Sequence, residues 1–292
     1  MAGNKRRGRL LTLLGAGVLI AALAYGVYWF TVESHYVSTD NAYVNADTAE
    51  ITPLAGGPVA RVFVRDTQVV KAGDVLVQLD DSDAQLALAQ ARADLARAQA
   101  DYARSQVDLG RRRLLASSGA VSRDELTATQ NSFSANAAVL QAARARLQVA
   151  ELTLQRMTIR APIDGVVSDK NVEIGRRVEA GAHLMVIAPV GSAFVDANFK
   201  ENQLASVAVG QPVALHSDIY GGQVTYHGRV AGFSGGTGSA FSLIPAQNAS
   251  GNWIKVVQRV PVRISLDPAE LQQHPLRVGM SMDAKIDVSG HR

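Results

Sequence analysis

Residues 82–157 carry apolar side chains in two heptad series, and the whole region lacks proline. The first series is Leu88, Leu95, Tyr102 and Leu109 with Ala84, Ala91, Ala98 and Ser105; the second is Leu126, Phe133, Leu140, Leu147 and Leu154 with Thr129, Asn136, Ala143 and Ala150. Sustained heptads predict a coiled coil, and the short polar segment between the series requires antiparallel helices. We therefore expect an α-helical hairpin whose arms of ~36 residues reach about 54 Å. A globular bundle of the same helices is the alternative.

Residues that start and stop helices stand at the expected ends of both arms. Ser82 with Gln85, and Ser122 with Glu125, have the spacing of a capping box. Gly119 is placed to end the first arm in a left-handed conformation.

The segments that flank the hairpin resemble each other. Residues 51–79 align with residues 159–187 at a shift of 108 positions (165 − 57). The shift matches Gly57 with Gly165, Val59 with Val167, Val64 with Val172, Val70 with Val178, Gly73 with Gly181, Leu76 with Leu184, and Leu79 with Ile187. Alternating apolar residues and glycines predict short strands with tight turns, and neither half can bury its apolar face alone. We expect one β-sandwich formed by 47–81 and 158–189, unless the similarity arises by chance.

Residues 190–288 also alternate between apolar and polar positions, with turn residues between the runs. They predict a small β-barrel, completed by a strand near residues 37–46. The barrel domain would then comprise 31–46 and 190–288, followed by a C-terminal tail at 289–292.

Residues 10–30 form an uncharged, apolar run with aromatic residues at its far end. As a helix it spans about 32 Å, which suits a single-pass transmembrane anchor. Residues 1–9 contain Lys5 and three arginines and should form a cytoplasmic basic tail, which places residues 31–292 on the far side of the membrane. A cleaved signal peptide is the alternative.

The composition argues against several kinds of catalytic, metal and nucleic-acid-binding site. The chain has no cysteine, its six histidines form no metal-spaced pair, and no nucleotide-binding or hydrolase motif is present. The net charge of +3 comes from the N-terminal tail, so it does not indicate a nucleic-acid partner. We expect no enzyme activity, no cofactor and no metal site.

The split repeat resembles the lipoyl/biotinyl carrier domain, which bears its modified lysine between the two halves. Here no lysine occurs between Lys71 and Lys170, and the helical insertion occupies that position. A covalent carrier function is therefore not expected.

The anchor, the split halves and the inserted hairpin together resemble the membrane fusion proteins, the HlyD-type periplasmic adaptors. The segments "TDNAYVNAD" (39–47), "TIRAPIDGVVSD" (158–169) and "VDANFKENQLASVAVGQPV" (195–213) are similar to the family's entry, return and barrel segments. "GTGSAFSLIPAQNASGNWIKVVQRVPVRI" (236–264) resembles the EmrA branch, whose members partner major facilitator superfamily drug exporters. The resemblance implies an elongated α+β fold with a transmembrane helix, a lipoyl-like sandwich, a coiled-coil hairpin and a membrane-proximal barrel.

The same resemblance implies an adaptor in a tripartite multidrug or toxic-compound efflux pump. It would link an inner-membrane major facilitator transporter to a TolC-type outer-membrane channel, as a trimer or hexamer. One alternative is an adaptor for protein or polysaccharide export driven by an ABC ATPase. Another is a stand-alone membrane-anchored structural protein.

Two groups of residues are candidate contacts. At the hairpin tip, Arg111, Leu115 and Ser122 keep a spacing that in the family contacts the outer-membrane channel. Taken alone, they read as an exposed helix charge, a last-turn core residue and an N-cap. The second group lies on the Gly/Ser/Asn-rich segment 232–253 and would touch substrate or transporter, or tether the loop to its own barrel: Phe233, Phe241, Leu243, Ile244 and Trp253.

Overall fold

The computed structural model describes residues 14, 15, 17–19, 23, 35–238, 240 and 257–290. Among these residues no helix combines the length and apolar character needed to cross a bilayer. Most of the predicted anchor at 10–30, and the whole basic tail at 1–9, lie outside the described residues.

The described chain forms two compact units, one of residues 1–47 and 189–292 and the other of residues 48–188. The first contains a closed antiparallel barrel of six strands in the order β1-β10-β13-β12-β11-β14. These strands are β1 (Tyr36–Asn45), β10 (Phe194–Lys200), β11 (Pro212–Ser217), β12 (Thr225–Phe233), β13 (Arg259–Leu266) and β14 (Ser281–Asp287). A short helix, α3 (Pro268–Gln273), lies between β13 and β14.

Strand β1 closes the barrel because it pairs on both sides. Ala42 is opposite Ala197 of β10 and opposite Met282 of β14. Alternate residues point inward, as in any strand, and fill one apolar core with fully buried Phe199 and Tyr226 among its largest members.

The second unit contains two four-stranded sheets, in the orders β2-β9-β7-β4 and β6-β5-β3-β8. The strands of the first half are β2 (Ala49–Ile51), β3 (Gly57–Val62), β4 (Val69–Val70) and β5 (Val75–Leu79). Those of the second half are β6 (Thr158–Arg160), β7 (Gly165–Ser168), β8 (Arg177–Val178) and β9 (Met185–Ala188). Each sheet takes two strands from each half, and residues of both halves form one core.

The pairings obey the repeat of 108 positions. Gly57 of β3 pairs with Val178 of β8, and its equivalent Gly165 pairs with Val70, the equivalent of Val178. In each sheet the two central strands come from one half of the repeat and the two edge strands come from the other half. Neither half can therefore form a complete sheet alone.

The hairpin is inserted between the two halves of the sandwich, after β5 and before β6. Strand β5 leads into α1 (Ser82–Ser117), and α2 (Arg123–Arg156) returns into β6. Below the helices, Gln78 pairs with Thr158, and the Leu79 amide donates to the Met157 carbonyl at 2.8 Å. The two helices therefore continue directly from two paired strands of the sandwich.

The predicted heptad positions face the partner helix. On α1, Ala84, Leu88, Ala91, Ala98, Ser105 and Leu109 are buried; on α2, Leu140 and Ala143 are buried. The other predicted seam residues are half-buried: Leu95, Tyr102, Leu126, Thr129, Phe133, Asn136, Leu147, Ala150 and Leu154.

The capping box predicted at Ser82 is wrong. Asp81 is the N-cap of α1 and makes no side-chain capping bond. Ser82 instead donates from its amide and its hydroxyl to Asp80 Oδ1, at 3.0 and 2.6 Å. These hydrogen bonds lower the pKa of Asp80, the side-chain bond contributing most. The Ser82 amide and hydroxyl therefore bond to Asp80 and do not form the predicted capping box.

Candidate functional site

The hairpin tip begins where α1 ends at Ser117, and its first turn depends on Gly119. Gly119 has a φ of 75°, in the left-handed region that glycine adopts without a Cβ clash. Its amide donates to the Ala116 carbonyl, and the Ala120 amide donates to the Leu115 carbonyl, both at 3.1 Å. This is a Schellman motif, which satisfies carbonyls that the helix end leaves free. The predicted role of Gly119 is confirmed.

The second arm begins with a complete capping box. Ser122 Oγ accepts from the Glu125 amide at 3.2 Å, and the Ser122 amide donates to Glu125 Oε2 at 3.4 Å. The predicted N-cap is confirmed. Both helix ends at the tip are therefore capped by hydrogen bonds.

An ion pair joins the two arms just below the tip. Arg112 Nη1 lies 3.1 Å from Glu125 Oε1, and both side chains remain about half exposed. Hydrogen bonding from the Ser122 amide, followed by hydrogen bonding from Arg112, lowers the pKa of Glu125. The sequence interpretation missed this pair, although the heptad series of the first arm, continued past Leu109, reaches Arg112 and Ala116.

The structure places the three predicted tip residues on the surface. Arg111 and Ser122 are exposed. Leu115 is 47% exposed, so the alternative in which it is a last-turn core residue is wrong. Its neighbour Leu114 is 75% exposed, and the sequence interpretation did not single it out. Together they present two uncovered leucines beside Arg111.

A groove between the arms leads down from the tip and is mainly polar. On α1 it is bordered by acidic and basic residues in alternation, and on α2 by small residues. Its lining includes Asp101, Arg104, Asp108, Arg111, Leu115, Ala128 and Ser132. The groove exposes side chains of both positive and negative charge. The backbone polar groups beside it are already hydrogen-bonded within the helices, so the groove suits a protein surface as a partner.

The second group of predicted contacts is only partly described. Phe233, at the end of β12, is 41% exposed and borders a shallow groove with Gly232, Pro261 and Arg263. Arg263 lies 3.8 Å above the Phe194 ring and 3.6 Å from Asp196. Phe241, Leu243, Ile244 and Trp253 lie outside the described residues.

Comparison with known proteins starts from the second unit. Residues 47–190 match the family model described as "RND MFP, barrel-sandwich hybrid domain". The chain is 45% identical to the fatty acid resistance protein FarA of Neisseria gonorrhoeae, over 98% of this chain and 84% of that protein. It is 39% identical to the multidrug export protein EmrA of Escherichia coli K12, over 89% of this chain and 78% of that protein. The chain belongs to the membrane fusion protein family. Within it, the chain falls in the EmrA-like branch.

Solved membrane fusion proteins share this fold. Spr0693 of Streptococcus pneumoniae R6 superposes with a TM-score of 0.63 at 19% identity, covering 86% of this chain and 97% of that one. A MacA–MexA chimera that carries the MexA α-hairpin domain of Pseudomonas aeruginosa gives a TM-score of 0.60 at 21% identity, covering 87% and 79%. The barrel, the sandwich and the hairpin of this membrane fusion protein therefore have counterparts in solved structures.

No three histidine, aspartate or glutamate side chains among the described residues are arranged to hold a metal ion. The features that stand out are surfaces: the tip, the groove below it and the exposed helix faces.

Proposed function

We propose that this protein is the periplasmic adaptor of a tripartite efflux pump for multiple drugs or toxic compounds. It links an inner-membrane major facilitator transporter to a TolC-type outer-membrane channel. The observation that carries the proposal is the hairpin, whose arms of 36 and 34 residues extend about 50 Å from a small sandwich. An insertion of this length, in this family and without a catalytic group, is suited to reaching a distant partner.

The tip is the surface that meets the channel. Arg111 is of a residue type enriched at interface hot spots, and Leu114 and Leu115 leave apolar surface uncovered close to it. Ser122 completes the contact while it caps α2, because its hydroxyl accepts one amide and keeps a further lone pair free.

Residues 10–30 anchor the adaptor in the inner membrane as a single helix, with residues 1–9 in the cytoplasm. The charge-free apolar run after a basic segment supports this arrangement.

The segment between β12 and β13 contacts the transporter or the compound it exports. Phe233 precedes this segment, and Phe241, Leu243, Ile244 and Trp253 follow along the sequence. Relatives named for multidrug export and for fatty acid resistance support amphipathic compounds as the substrate class.

Several copies pack side by side through their hairpins. Each arm exposes a second heptad series on the face away from its partner arm. On α1 it is Leu86, Ala89, Ala93, Ala96, Ala100, Ala103, Val107 and Gly110; on α2 it is Asn131, Ala135, Ala138, Ala142, Ala145, Val149 and Leu152. A head-to-tail contact of α1 with α2 of the next copy would cover both series and close a ring. A trimer and a hexamer are both closed rings of this kind.

The decisive experiment is site-specific cross-linking in cells. The chain lacks cysteine, so Leu115→Cys introduces a single thiol at the tip. Gln148→Cys, which is exposed near the base of the hairpin and belongs to neither heptad series, is the matched control. A bifunctional reagent should join Leu115→Cys to an outer-membrane channel protein and should not do so for Gln148→Cys. Capture of no outer-membrane protein by the tip, or equal capture by both positions, would overturn the proposal.

A further inference from the structure

His183 lies between two carboxylates in the sandwich unit. Its Nδ1 is 3.0 Å from Glu50 Oε1, and its Nε2 is 3.2 Å from Asp169 Oδ2 and 3.3 Å from the Asp169 carbonyl. Glu50 belongs to β2, Asp169 follows β7, and His183 precedes β9. The imidazole therefore connects three chain segments, one from the first half of the repeat and two from the second.

The geometry selects the protonated ring. A neutral imidazole has one N–H and can donate to one carboxylate only, whereas the imidazolium donates from both nitrogens. Accordingly, hydrogen bonding to Glu50, reinforced by Asp169 and opposed by partial desolvation, raises the pKa of His183.

The internal repeat shows that the sandwich fold does not require this cluster. A shift of 108 positions relates Glu50 to Thr158 (50 + 108), Asp169 to Arg61 (169 − 108) and His183 to Val75 (183 − 108). The equivalent place in the other sheet therefore has no histidine and no carboxylate, yet its edge strand β6 still pairs with β5. The cluster is an addition to one half of a symmetric framework.

The cluster stands at the strands that connect the two compact units. The chain passes from one unit to the other between Asp47 and Thr48, just before β2, and back between Ala188 and Pro189, just after β9. Strand β2 is the edge strand of its sheet and pairs only with β9, through three residues. A bond from Glu50 to His183 therefore adds to a short strand pairing that carries both connections.

We propose that Glu50, His183 and Asp169 form a proton-dependent clamp that holds β2 against β9 in acid. The clamp depends only on residues of this chain and does not rest on the proposed efflux function.

The direction of the effect follows from the charge of the ring. Because folding favours the protonated form, the stabilisation is complete below the unfolded pKa of about 6.5 and is lost as pH rises through the higher folded pKa. The groups that face the ring are Glu50 from β2 and Asp169 from the turn after β7. Nearby Lys170 donates its Nζ to the Val172 carbonyl, and in the described chain neither carboxylate forms an ion pair with a lysine or an arginine.

Hydrogen exchange of the full-length protein in detergent micelles tests the clamp. Exchange of peptides that cover β2 and β9 is compared at about pH 5.5 and about pH 8, corrected for intrinsic rates. Protection of β2 in the wild type should fall about two- to fivefold at the higher pH, the range expected for exposed ion pairs. In His183→Gln the protection should be low and independent of pH. His216→Gln, whose ring contacts the Thr225 hydroxyl in the barrel, is the matched control and should behave as the wild type.

A second variant tests the clamp independently, in case His183→Gln fails to fold. Glu50→Gln keeps the shape of the side chain, and an NMR titration should find a lower His183 pKa in it than in the wild type. Asp169→Asn should act in the same direction, and asparagine tolerates the left-handed φ of 50° at this position. The clamp is refuted if β2 protection is the same at both pH values in the wild type, or if Glu50→Gln leaves the histidine titration unchanged.

Discussion

Tyr102 of α1 and Phe133 of α2 meet across the hairpin, with ring centroids 5.2 Å apart and ring planes inclined by 36°. Both residues occupy predicted heptad positions and both are half-buried. An aromatic pair is wide and stiff, so this contact sets the register of the two helices more firmly than the smaller seam residues Ala98 and Ser105 on either side of Tyr102.

A double-mutant cycle should detect this pair. Tyr102→Leu and Phe133→Leu each keep an apolar side chain but remove the ring contact. We expect a coupling energy of about 1 kcal/mol between them, measured by urea unfolding followed through the helical circular dichroism signal. Additive effects of the two substitutions would mean that the rings do not interact in solution.

Leu140→Asp should separate the hairpin arms. Leu140 is 6% exposed in the seam, so an aspartate there is an unpaired buried charge that costs about 3 kcal/mol or more. Drug resistance of a deletion strain should not be restored by this variant, although barrel and sandwich still fold. Val139→Asp is the control, because Val139 is 56% exposed one position away. Resistance restored equally by both variants would contradict a working hairpin.

Gly119→Ala and Gly110→Ala should have opposite effects. Gly119 needs a φ of 75°, so a Cβ there should destabilise the tip by about 1 kcal/mol. Gly110 lies inside α1 with open space around its Cα, so alanine should stabilise the helix by up to about 1 kcal/mol. Thermal unfolding of the helical signal measures both, and effects of the same sign would refute the Schellman turn.

The repeat supplies a further matched pair in Gly165 and Gly57. A Cβ on Gly165 would stand 2.5 Å from the Ala188 carbonyl oxygen, whereas a Cβ on Gly57 meets only Leu79 at ordinary contact distance. Gly165→Ala should therefore destabilise the sandwich by about 2 kcal/mol, and Gly57→Ala should be nearly neutral. Proteolytic susceptibility of the sandwich, measured over a urea series, distinguishes the two outcomes; equal susceptibility would contradict the close approach.

Substitutions at Ser122 can separate capping from channel contact. Ser122→Ala should cost about 1 kcal/mol of tip stability, and Ser122→Asp should restore most of it because aspartate is an equally good N-cap. If Ser122 also contacts the channel, resistance should stay impaired in Ser122→Asp. Full resistance in a stable Ser122→Asp variant would limit Ser122 to its structural role.

Local signals were reliable where one physical cause acts within one helix. Heptad spacing predicted the seam, and Ser122 with Glu125 predicted the N-cap, because both depend on residues a few positions apart. The same logic failed at Ser82, where Asp80 offers a competing acceptor. It also failed for Leu115, because the seam continues through Arg112 and Ala116, and heptad position rather than apolar character decides which side chain is covered.

By itself, the sequence determined that two helices pair through a heptad seam and that two similar halves flank them, since periodicity records which face of each element is apolar. Only the tertiary structure decided that each sheet mixes strands of both halves, that Arg112 reaches Glu125, and that Glu50, Asp169 and His183 meet. The reason is physical. An apolar face must be covered by a partner, but the local pattern does not specify which distant segment covers it. That choice is made when the strands close around a shared core.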